Sequence, residues 1–578
     1  MRFKVSIQPL PEPLPQKWQA PAMPALTRRG FNQNLLVLAL ASVVPRPALA
    51  LADPQTDLWL NRLTFGANPA LRAEFARSGL KTWLDAQLAM AAGDPELDQR
   101  LAAARLLIRY PAGDDGPGRD WKGRDEMVPL GFLTSDPAEA VGLLDFDNLM
   151  DYGERIRPAH EVINASMIRA VHAPAQLREL MTQFWHDHFN VNATKNEMTA
   201  AFFPSHDALL RTHAFGNFRA LLGEVARSPA MLYYLNNDDS RASPANENFA
   251  RELLELHTLG AGNYISGTAT GWQDVPGAQD GLALAYSDQD VYEVARAFTG
   301  WSVGDGRAIS EGVNAPQSGR FQYVEAWHDP YQKRVLAVEF AANRAPMADG
   351  DQVLDMLANH PGTAQFICRK LIRRLLADDP DPAMVDRVAT LFLAQSAAPD
   401  QIAQVIRAVV TDPAFAATPP HKLRRPFEFL AALYRATGAE MVIPENGFAY
   451  QLGLAGWQQH EYGPPTGHPD RTDRWASATT LNRMVDAALY AHEQWYGCTD
   501  QPLYDRLAKS ADTMAGLALP WTTAMLGQTG GQAAVQALAD ALGIADLHQP
   551  LGLTADERQG ICAAAIAYAA LTPQFLLR

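Results

Sequence analysis

The sequence predicts a mainly α-helical protein, a large multi-helix assembly with long irregular loops and at most a small β hairpin. Apolar residues recur at spacings of three and four through most of the chain, which is the period of an amphipathic helix. Strict alternation over five or more positions, typical of a half-buried strand, is scarce. The 47% of apolar residues exclude intrinsic disorder.

The apolar pattern divides the chain into helical segments and loops. Residues 301–345 mix aromatics with turn signals and predict a short hairpin, whereas residues 112–126 and 266–282 predict surface loops. Residues 440–476 predict a long irregular connection of the kind that often carries function. Helices are predicted at about 56–64, 69–91, 160–171, 174–189, 206–226, 245–258, 288–299, 350–377, 383–396, 399–411, 421–437, 477–494, 501–517, 532–542 and 555–571.

The N-terminal segment is similar to a twin-arginine export signal. Arg28-Arg29 precedes an apolar stretch at 35–44, and the small residues of 48–50 predict cleavage near Ala50 or Ala52. The apolar stretch is too short to span a bilayer, so no integral membrane segment is expected in the mature form. We therefore expect a signal peptide over 1–50 that starts at Met1 or Met23, and a periplasmic or otherwise exported protein.

Two further parts follow this leader in the predicted organisation. A main helical domain is expected over 51–440, and an irregular connection with helices packed on that domain over 441–578. The net charge of -15 becomes -20 without residues 1–50, which hold six Lys/Arg and one Glu. So acidic a chain repels phosphate backbones and anionic lipid, which argues against nucleic-acid binding.

The common catalytic signatures are absent from the sequence. It contains no G-x-S-x-G elbow, no P-loop and no H-E-x-x-H zinc motif. The three cysteines, Cys368, Cys498 and Cys562, form no C-x-x-C pair. Any active site must therefore come from residues that the fold brings together.

Histidines occupy unusual places on the predicted helix at 174–189. On a helical wheel His188 falls within the apolar arc, whereas His186 falls on the opposite, polar side. The two cannot bind one ion from a regular helix. His188 is the better candidate for a metal ligand or an acid–base group, and a hydrogen-bonded buried imidazole is the alternative.

The predicted helix at 245–258 is dense in carboxylates. Glu247, Arg251 and Glu255 stand four residues apart, a ladder in which each carboxylate reaches the guanidinium. A solvated face explains this density, and so does a buried polar network or metal ligation by Glu252 and Glu255.

Further candidate groups lie at and beyond the end of that helix. His257 lies near the apolar face just before Gly260, which is expected to end the helix, and a structural role for it is equally open. A helix start is predicted at Ser287 with Asp290, followed by Glu293 and Arg296 in the same polar network. His328 and Asp329 lie in the irregular region and can converge on a site from a loop.

These blocks resemble a bacterial family known as domain of unknown function 1800. The resemblance implies an exported, mainly helical protein and supplies no reaction. The genes of the family often neighbour those of exported sulfatase- or phosphatase-like proteins, which implies such a partner. The segments that carry the resemblance are 60–66, 184–189, 246–260, 290–301, 328–329, 360–364, 370–371, 425–428, 458–469 and 572–575.

The leading hypothesis is a metal-dependent enzyme, a hydrolase or an oxidoreductase, with a site between the 174–189 and 245–258 helices. A non-catalytic scaffold or maturation partner for the neighbouring exported protein is the alternative, and carbohydrate or cell-wall binding is a third possibility. The cofactor is unknown, with a divalent transition metal as the expectation. The expected metal ligands are His188, Glu252, Glu255 and His257, and the expected catalytic groups are His188, His328, Asp329, Arg251 and Arg296.

Overall fold

Helices make up most of the structure, as the apolar periodicity predicts. The computed structural model describes residues 54–90, 93–265, 271–441, 447–490, 498–500 and 502–578, so the predicted signal peptide lies outside the described residues. In the first half the α-helices span Pro54–Leu63, Pro69–Ala89, Pro95–Ala103, Pro137–Val141, Tyr152–Arg155, Arg157–His172, Gln176–His188, Glu197–Thr212, Phe218–Arg227, Pro229–Tyr234, Glu247–Glu252 and Asp288–Ala297. In the second half they span Ala348–Ala358, Pro361–Leu375, Pro382–Ala394, Gln401–Thr411, Pro413–Ala417, Pro426–Thr437, Gly447–Leu454, Thr472–Trp475, Ala478–Tyr490, Pro502–Ser510, Met514–Leu542, Ala555–Ala570 and Pro573–Leu576.

Proline sets many of the helix boundaries, because its fixed φ suits the first helical turn and its missing N–H costs nothing there. The predicted helix over 350–377 is two helices for this reason, with the second beginning at Pro361. His360 caps that second helix, and its Nδ1 accepts from the Gly362 amide at 2.9 Å. The predicted helix over 206–226 is likewise two, and the second is capped by Asn217.

Strands occur as short antiparallel pairs. The predicted hairpin within 301–345 is confirmed, with Trp301–Asp305 paired to Gln317–Tyr323. An unpredicted hairpin pairs Arg105–Tyr110 with Arg124–Pro129, and its second strand begins within the loop predicted over 112–126. The remaining pairs in the described part are Gly113–Asp114 with Asp120–Trp121, Ala308–Ser310 with Val313–Asn314, Lys333–Val335 with Val338–Phe340, and Glu440–Met441 with Cys498–Asp500.

The Gln176–His188 helix lies inside the protein and supports the candidate site. Every one of its residues except Asp187 is buried, including those of the polar side of its wheel. Trp185 donates from its indole nitrogen to the Ala214 carbonyl at 3.1 Å. The ends of this helix are therefore held by tertiary contacts.

Other sequence predictions concern the chain as a whole. Cys368 and Cys562 are free and buried. Within the described ranges, no helix is long and apolar enough to cross a bilayer. The described residues from Pro54 to Arg578 belong to one compact unit, and the division near residue 440 stays a prediction.

Candidate functional site

A π-helix forms the first wall of the site. The segment predicted as one α-helix over 245–258 is α-helical to Glu252 and then π-helical over Leu253–Thr258. The Leu254 carbonyl accepts from the amides of Leu259 at 2.9 Å and Gly260 at 3.1 Å. π-Turns are rare and occur frequently at functional sites. Gly260 ends the helix as predicted, with a φ of +87°.

His188 joins this π-helix to the Pro361–Leu375 helix. Its Nε2 lies 3.1 Å from the carbonyl oxygen of His257, and its Nδ1 lies 2.8 Å from Nζ of Lys370. A carbonyl only accepts, so Nε2 carries the proton and Nδ1 accepts from the lysine. The structure therefore brings His188 and His257 together, and it adds a lysine to them. We call His188, His257 and Lys370 the imidazole–lysine site.

Burial controls the protonation of all three groups. It lowers the pKa of His188 well below its usual value, and the charge of Lys370 lowers it further. The same two causes lower the pKa of His257 to about 3. Burial also lowers the pKa of Lys370 to about 8, although the carboxylate of Asp187 opposes the shift. Both imidazoles are therefore neutral at neutral pH, and the pKa of the neighbouring Lys370 amine lies close to neutral pH.

The His257 ring lies inside the protein without a hydrogen bond. Its side chain is 1% exposed, and neither ring nitrogen has a partner in the described part of the chain. Its ring centre is 6.3 Å from that of His188 and 5.1 Å from that of Phe189. A buried polar group without a partner costs free energy, so this ring is a functional candidate.

The predicted ladder on the preceding helix is only partly formed. Arg251 pairs with Glu247 at 3.4 Å, but its second partner is Asp288 at 3.3 Å and not Glu255. The prediction for Glu255 was wrong because the π-turns after Glu252 wind more widely than an α-helix and carry Glu255 off the ladder. The Arg251 side chain is 38% exposed, so the ladder faces solvent.

Glu252 and Glu255 are less buried than the imidazoles of His188 and His257. Both are half-buried, and neither carboxylate has a hydrogen bond or an ion pair with a described residue. Burial raises the pKa of Glu252, and the charge of Glu255 raises it further. Within the described ranges, no three His, Cys, Asp or Glu side chains come together in a group that could hold a metal ion. The predicted metal site of His188, Glu252, Glu255 and His257 therefore stays without support.

The predicted residues of the loop region form a second cluster. Arg296 holds Asp329 through two hydrogen bonds, of 2.8 and 3.0 Å, and pairs with Glu293 at 2.7 Å. His328 lies between the Thr299 carbonyl, 3.0 Å from its Nδ1, and Asp349, 3.3 Å from its Nε2. Arg296, His328 and Asp329 therefore lie together, whereas their predicted convergence on a site with His188 stays a prediction.

This second cluster is closed by two further charged residues. Lys333 is fully buried and binds Asp349 at 2.7 Å, while Arg344 binds the same carboxylate at 3.0 Å. Burial opposes ionisation of Asp349, but the hydrogen bonds from His328 and Lys333 keep its pKa below the usual value. No described hydrogen bond or ion pair links this cluster to the imidazole–lysine site. We call Arg296, His328, Asp329, Lys333 and Asp349 the closed cluster.

Sequence reasoning missed Lys370. The residue lies three positions after the buried Ile367 and four before the buried Arg374, on a helix with a largely apolar inner side. A lysine at that spacing is the signal that could have singled it out. Its partner His188 is 182 residues away, so the pair itself could not be predicted.

A third group was also missed, and it surrounds His186. The imidazole Nε2 of His186 lies 3.0 Å from Asp207, and the ring of His460 lies 4.2 Å from that of His186. Burial opposes ionisation of Asp207, yet Arg211 and Arg169 hold its pKa well below the usual value. A cavity of about 10 Å³, enough for about one water, adjoins these groups. His186 and His188 thus serve separate sites, as the wheel predicts.

The irregular segment after residue 457 is fixed against the helix that carries His188. A side chain at Gly467 would collide with the Asp187 carbonyl, since its Cβ would lie 1.9 Å from that oxygen. Asn190 donates to the carbonyls of Tyr462 at 3.0 Å and Pro464 at 2.9 Å. The long connection is therefore an anchored wall beside the site.

The fold and the site define a mainly helical protein in which one neutral imidazole, that of His188, binds a half-buried lysine and contacts a π-helix. The chain belongs to the family described as "Protein of unknown function (DUF1800)", whose profile matches residues 58–577 and confirms the resemblance seen in the sequence. No curated protein and no solved structure matches it.

Proposed function

We propose that this protein is an enzyme of the hydrolase class in which Lys370 transfers the proton. One observation carries the proposal: Lys370 is bound to the neutral Nδ1 of His188 at 2.8 Å and has no carboxylate within ion-pair distance among the described residues. Lysines held in this way supply general bases in catalysis. With a pKa of about 8, about a tenth of the side chains carry a free amine at pH 7.

The chemistry follows from the two partners of His188. A free Lys370 amine can take a proton from an attacking water and return it to the leaving group. The resulting ammonium is stabilised by the acceptor Nδ1, which stays available because the His257 carbonyl holds the proton on Nε2. His188 is therefore a positioning residue, and Lys370 is the group that would face the substrate.

Export through the twin-arginine route is part of the proposal. It is supported by Arg28-Arg29, the apolar stretch at 35–44 and the small residues before Ala50. Cell fractionation of the native host tests it: the wild-type protein is expected outside the cytoplasm, and an Arg28→Lys/Arg29→Lys variant inside. Export of the double variant would contradict this route.

Lysine labelling tests the site without a known substrate. Folded protein is reacted briefly with 1-fluoro-2,4-dinitrobenzene between pH 6 and 11, and each lysine is quantified by peptide mass spectrometry. Lys370 is expected to reach half-maximal reactivity near pH 8. Lys81, whose side chain is 90% exposed, serves as the reference for full access to the reagent. In His188→Leu the midpoint of Lys370 should fall further, because the ammonium loses its acceptor. A midpoint above pH 10 in the wild type would contradict the proposal.

An activity measurement completes the test. The protein is assayed against chromogenic esters, phosphates, sulfates and glycosides, with Lys370→Met and the matched control Lys81→Met. We expect a rate that rises with pH through about 8 and falls by about 10²–10⁴-fold in Lys370→Met. An activity that survives Lys370→Met, or the absence of any hydrolysis, would overturn the assignment.

The alternative, a scaffold for an exported sulfatase- or phosphatase-like protein, has one observation in its favour. The closed cluster supports it, because the ion pairs of Arg296 with Asp329 and of Lys333 with Asp349 are what a buried structural network would contain. Affinity purification of the tagged protein from the exported fraction distinguishes the two functions. A stoichiometric second protein that Lys370→Met retains would favour the scaffold.

A further inference from the structure

A ligand-sized cleft lies apart from the imidazole–lysine site. It has a volume of about 350 Å³, within the usual range for small-molecule sites. One wall is the Arg157–His172 helix, and the other is formed by the Gly447–Leu454 helix and the residues that follow it. Its lining includes none of the residues of the imidazole–lysine site.

Polar groups with unused hydrogen-bonding capacity line this cleft. The ring of His160 is half-buried and has no hydrogen-bond partner among the described residues. Glu461 accepts one hydrogen bond, from Thr194 Oγ1 at 2.8 Å, and its second carboxylate oxygen is unpaired in the described structure. Gln458 adds an exposed amide. Three side chains can therefore bind polar groups of a ligand.

An exposed aromatic ring stands at the rim. Tyr450 is 67% exposed, unusually high for a large aromatic side chain, and belongs to the helix that forms one wall. The half-buried Leu454 contributes apolar surface beside it. A flat ring beside apolar surface suits a ligand with a C–H face, since aromatic faces carry partial negative charge.

The charge of the cleft selects against ions. No lysine or arginine is among the described residues that line it, so nothing there compensates a phosphate or sulfate. Burial raises the pKa of Glu461 and lowers the pKa of His160, so each group is biased toward its uncharged form. An uncharged ligand is therefore favoured over an anion or a cation.

We propose that this cleft binds a neutral carbohydrate, with a sugar ring against Tyr450 and hydroxyl groups bonded to His160, Gln458 and Glu461. Sugars combine a C–H face with many hydroxyl groups, which is the combination that the lining offers. The proposal does not depend on Lys370, and either can fail without the other.

Isothermal titration of the full chain with cellotetraose, maltotetraose, xylotetraose and chitotetraose tests the proposal. At least one should bind saturably, and Tyr450→Ala should weaken that binding about tenfold or more. The matched control is Tyr331→Ala, which removes a tyrosine that is 70% exposed outside the cleft and should leave the affinity unchanged. Circular dichroism confirms that each variant is folded.

Two substitutions at Glu461 separate a sugar from a cation. Glu461→Gln keeps hydrogen-bonding groups and should retain sugar binding within about threefold, whereas Glu461→Ala should weaken it. No saturable binding of the four tetrasaccharides up to 10 mM, or binding that Tyr450→Ala leaves intact, would overturn the proposal. Tight binding of tetramethylammonium that Glu461→Gln abolishes would overturn it in favour of a cation site.

Discussion

Two lysines of this protein, the buried Lys333 and the half-buried Lys370, are held in opposite ways. Lys333, in the closed cluster, contacts Asp349 at 2.7 Å and Asp329 at 3.8 Å and donates to two backbone carbonyls. Lys370 donates to a single neutral imidazole, that of His188. The charge of Lys333 is compensated by two carboxylates. The Lys370 ammonium has no carboxylate partner among the described residues and keeps N–H groups that can donate further hydrogen bonds. Removal of one partner from a compensated buried network is strongly destabilising, whereas removal of an uncompensated charge is not.

The largest difference between the two lysines should appear in stability. Lys333→Met leaves Asp349 paired with Arg344 and Asp329 paired with Arg296, but it removes the fully buried cation between the two carboxylates. We therefore expect the free energy of unfolding at pH 7 to fall by about 3 kcal/mol. Lys370→Met removes an ammonium that burial disfavours and should cost less than about 1 kcal/mol. Urea unfolding followed by circular dichroism measures both. Equal losses in the two variants would show that the comparison is false.

The dependence of stability on pH tests the imidazole side of the open site. The pKa of His257 is lowered to about 3, so the unfolded chain binds a proton that the folded protein refuses as the pH falls below about 6.5. The contribution is thus fully present above pH 6.5 and is lost toward pH 3. Between pH 6.5 and 5 this one residue should cost about 2 kcal/mol.

The variant His257→Phe isolates that share. Its free energy of unfolding should fall less between pH 6.5 and pH 5 than that of the wild type, by the same 2 kcal/mol or so. Chemical denaturation at the two pH values provides the comparison. If wild type and variant lose equal stability, the ring is protonated within the fold.

The smallest effect is expected on the solvent-facing ladder. Arg251→Ala breaks its pairs with Glu247 and Asp288, both of which are exposed, and should change the free energy of unfolding by less than about 1 kcal/mol. Thermal unfolding of this variant beside Arg296→Ala separates an exposed pair from a buried one. A loss of more than about 1 kcal/mol of unfolding free energy in Arg251→Ala would mean that the ladder is part of the closed cluster.

Apolar periodicity predicted most of the helices, because a helix that buries one face carries apolar residues at spacings of three and four. It failed where the backbone departs from that spacing. The break before Pro361 and the π-turns after Glu252 leave the pattern of apolar residues nearly unchanged while they redirect the side chains. The wrong placement of Glu255 follows directly from this.

The candidate site was predictable only in part. His188 could be placed inside from its position on the apolar arc, and His257 from its position near the apolar face of the next predicted helix. Lys370 was not selected, since its significance depends on a partner 182 residues away. The Tyr450 cleft was equally out of reach, because its walls come from helices nearly 300 residues apart. Long-range packing determines which residues come together in such groups, and local propensity does not encode that packing.

The direction of the His188 ring has a consequence for how a proton reaches Lys370. The Nε2 hydrogen of His188 is donated to the His257 carbonyl, and that carbonyl cannot pass a proton on. The imidazole therefore cannot relay protons to Lys370. The Lys370 amine must therefore exchange protons on its partly exposed side, away from His188. In the proposed mechanism, a molecule bound on that side therefore controls when the Lys370 amine regains its proton.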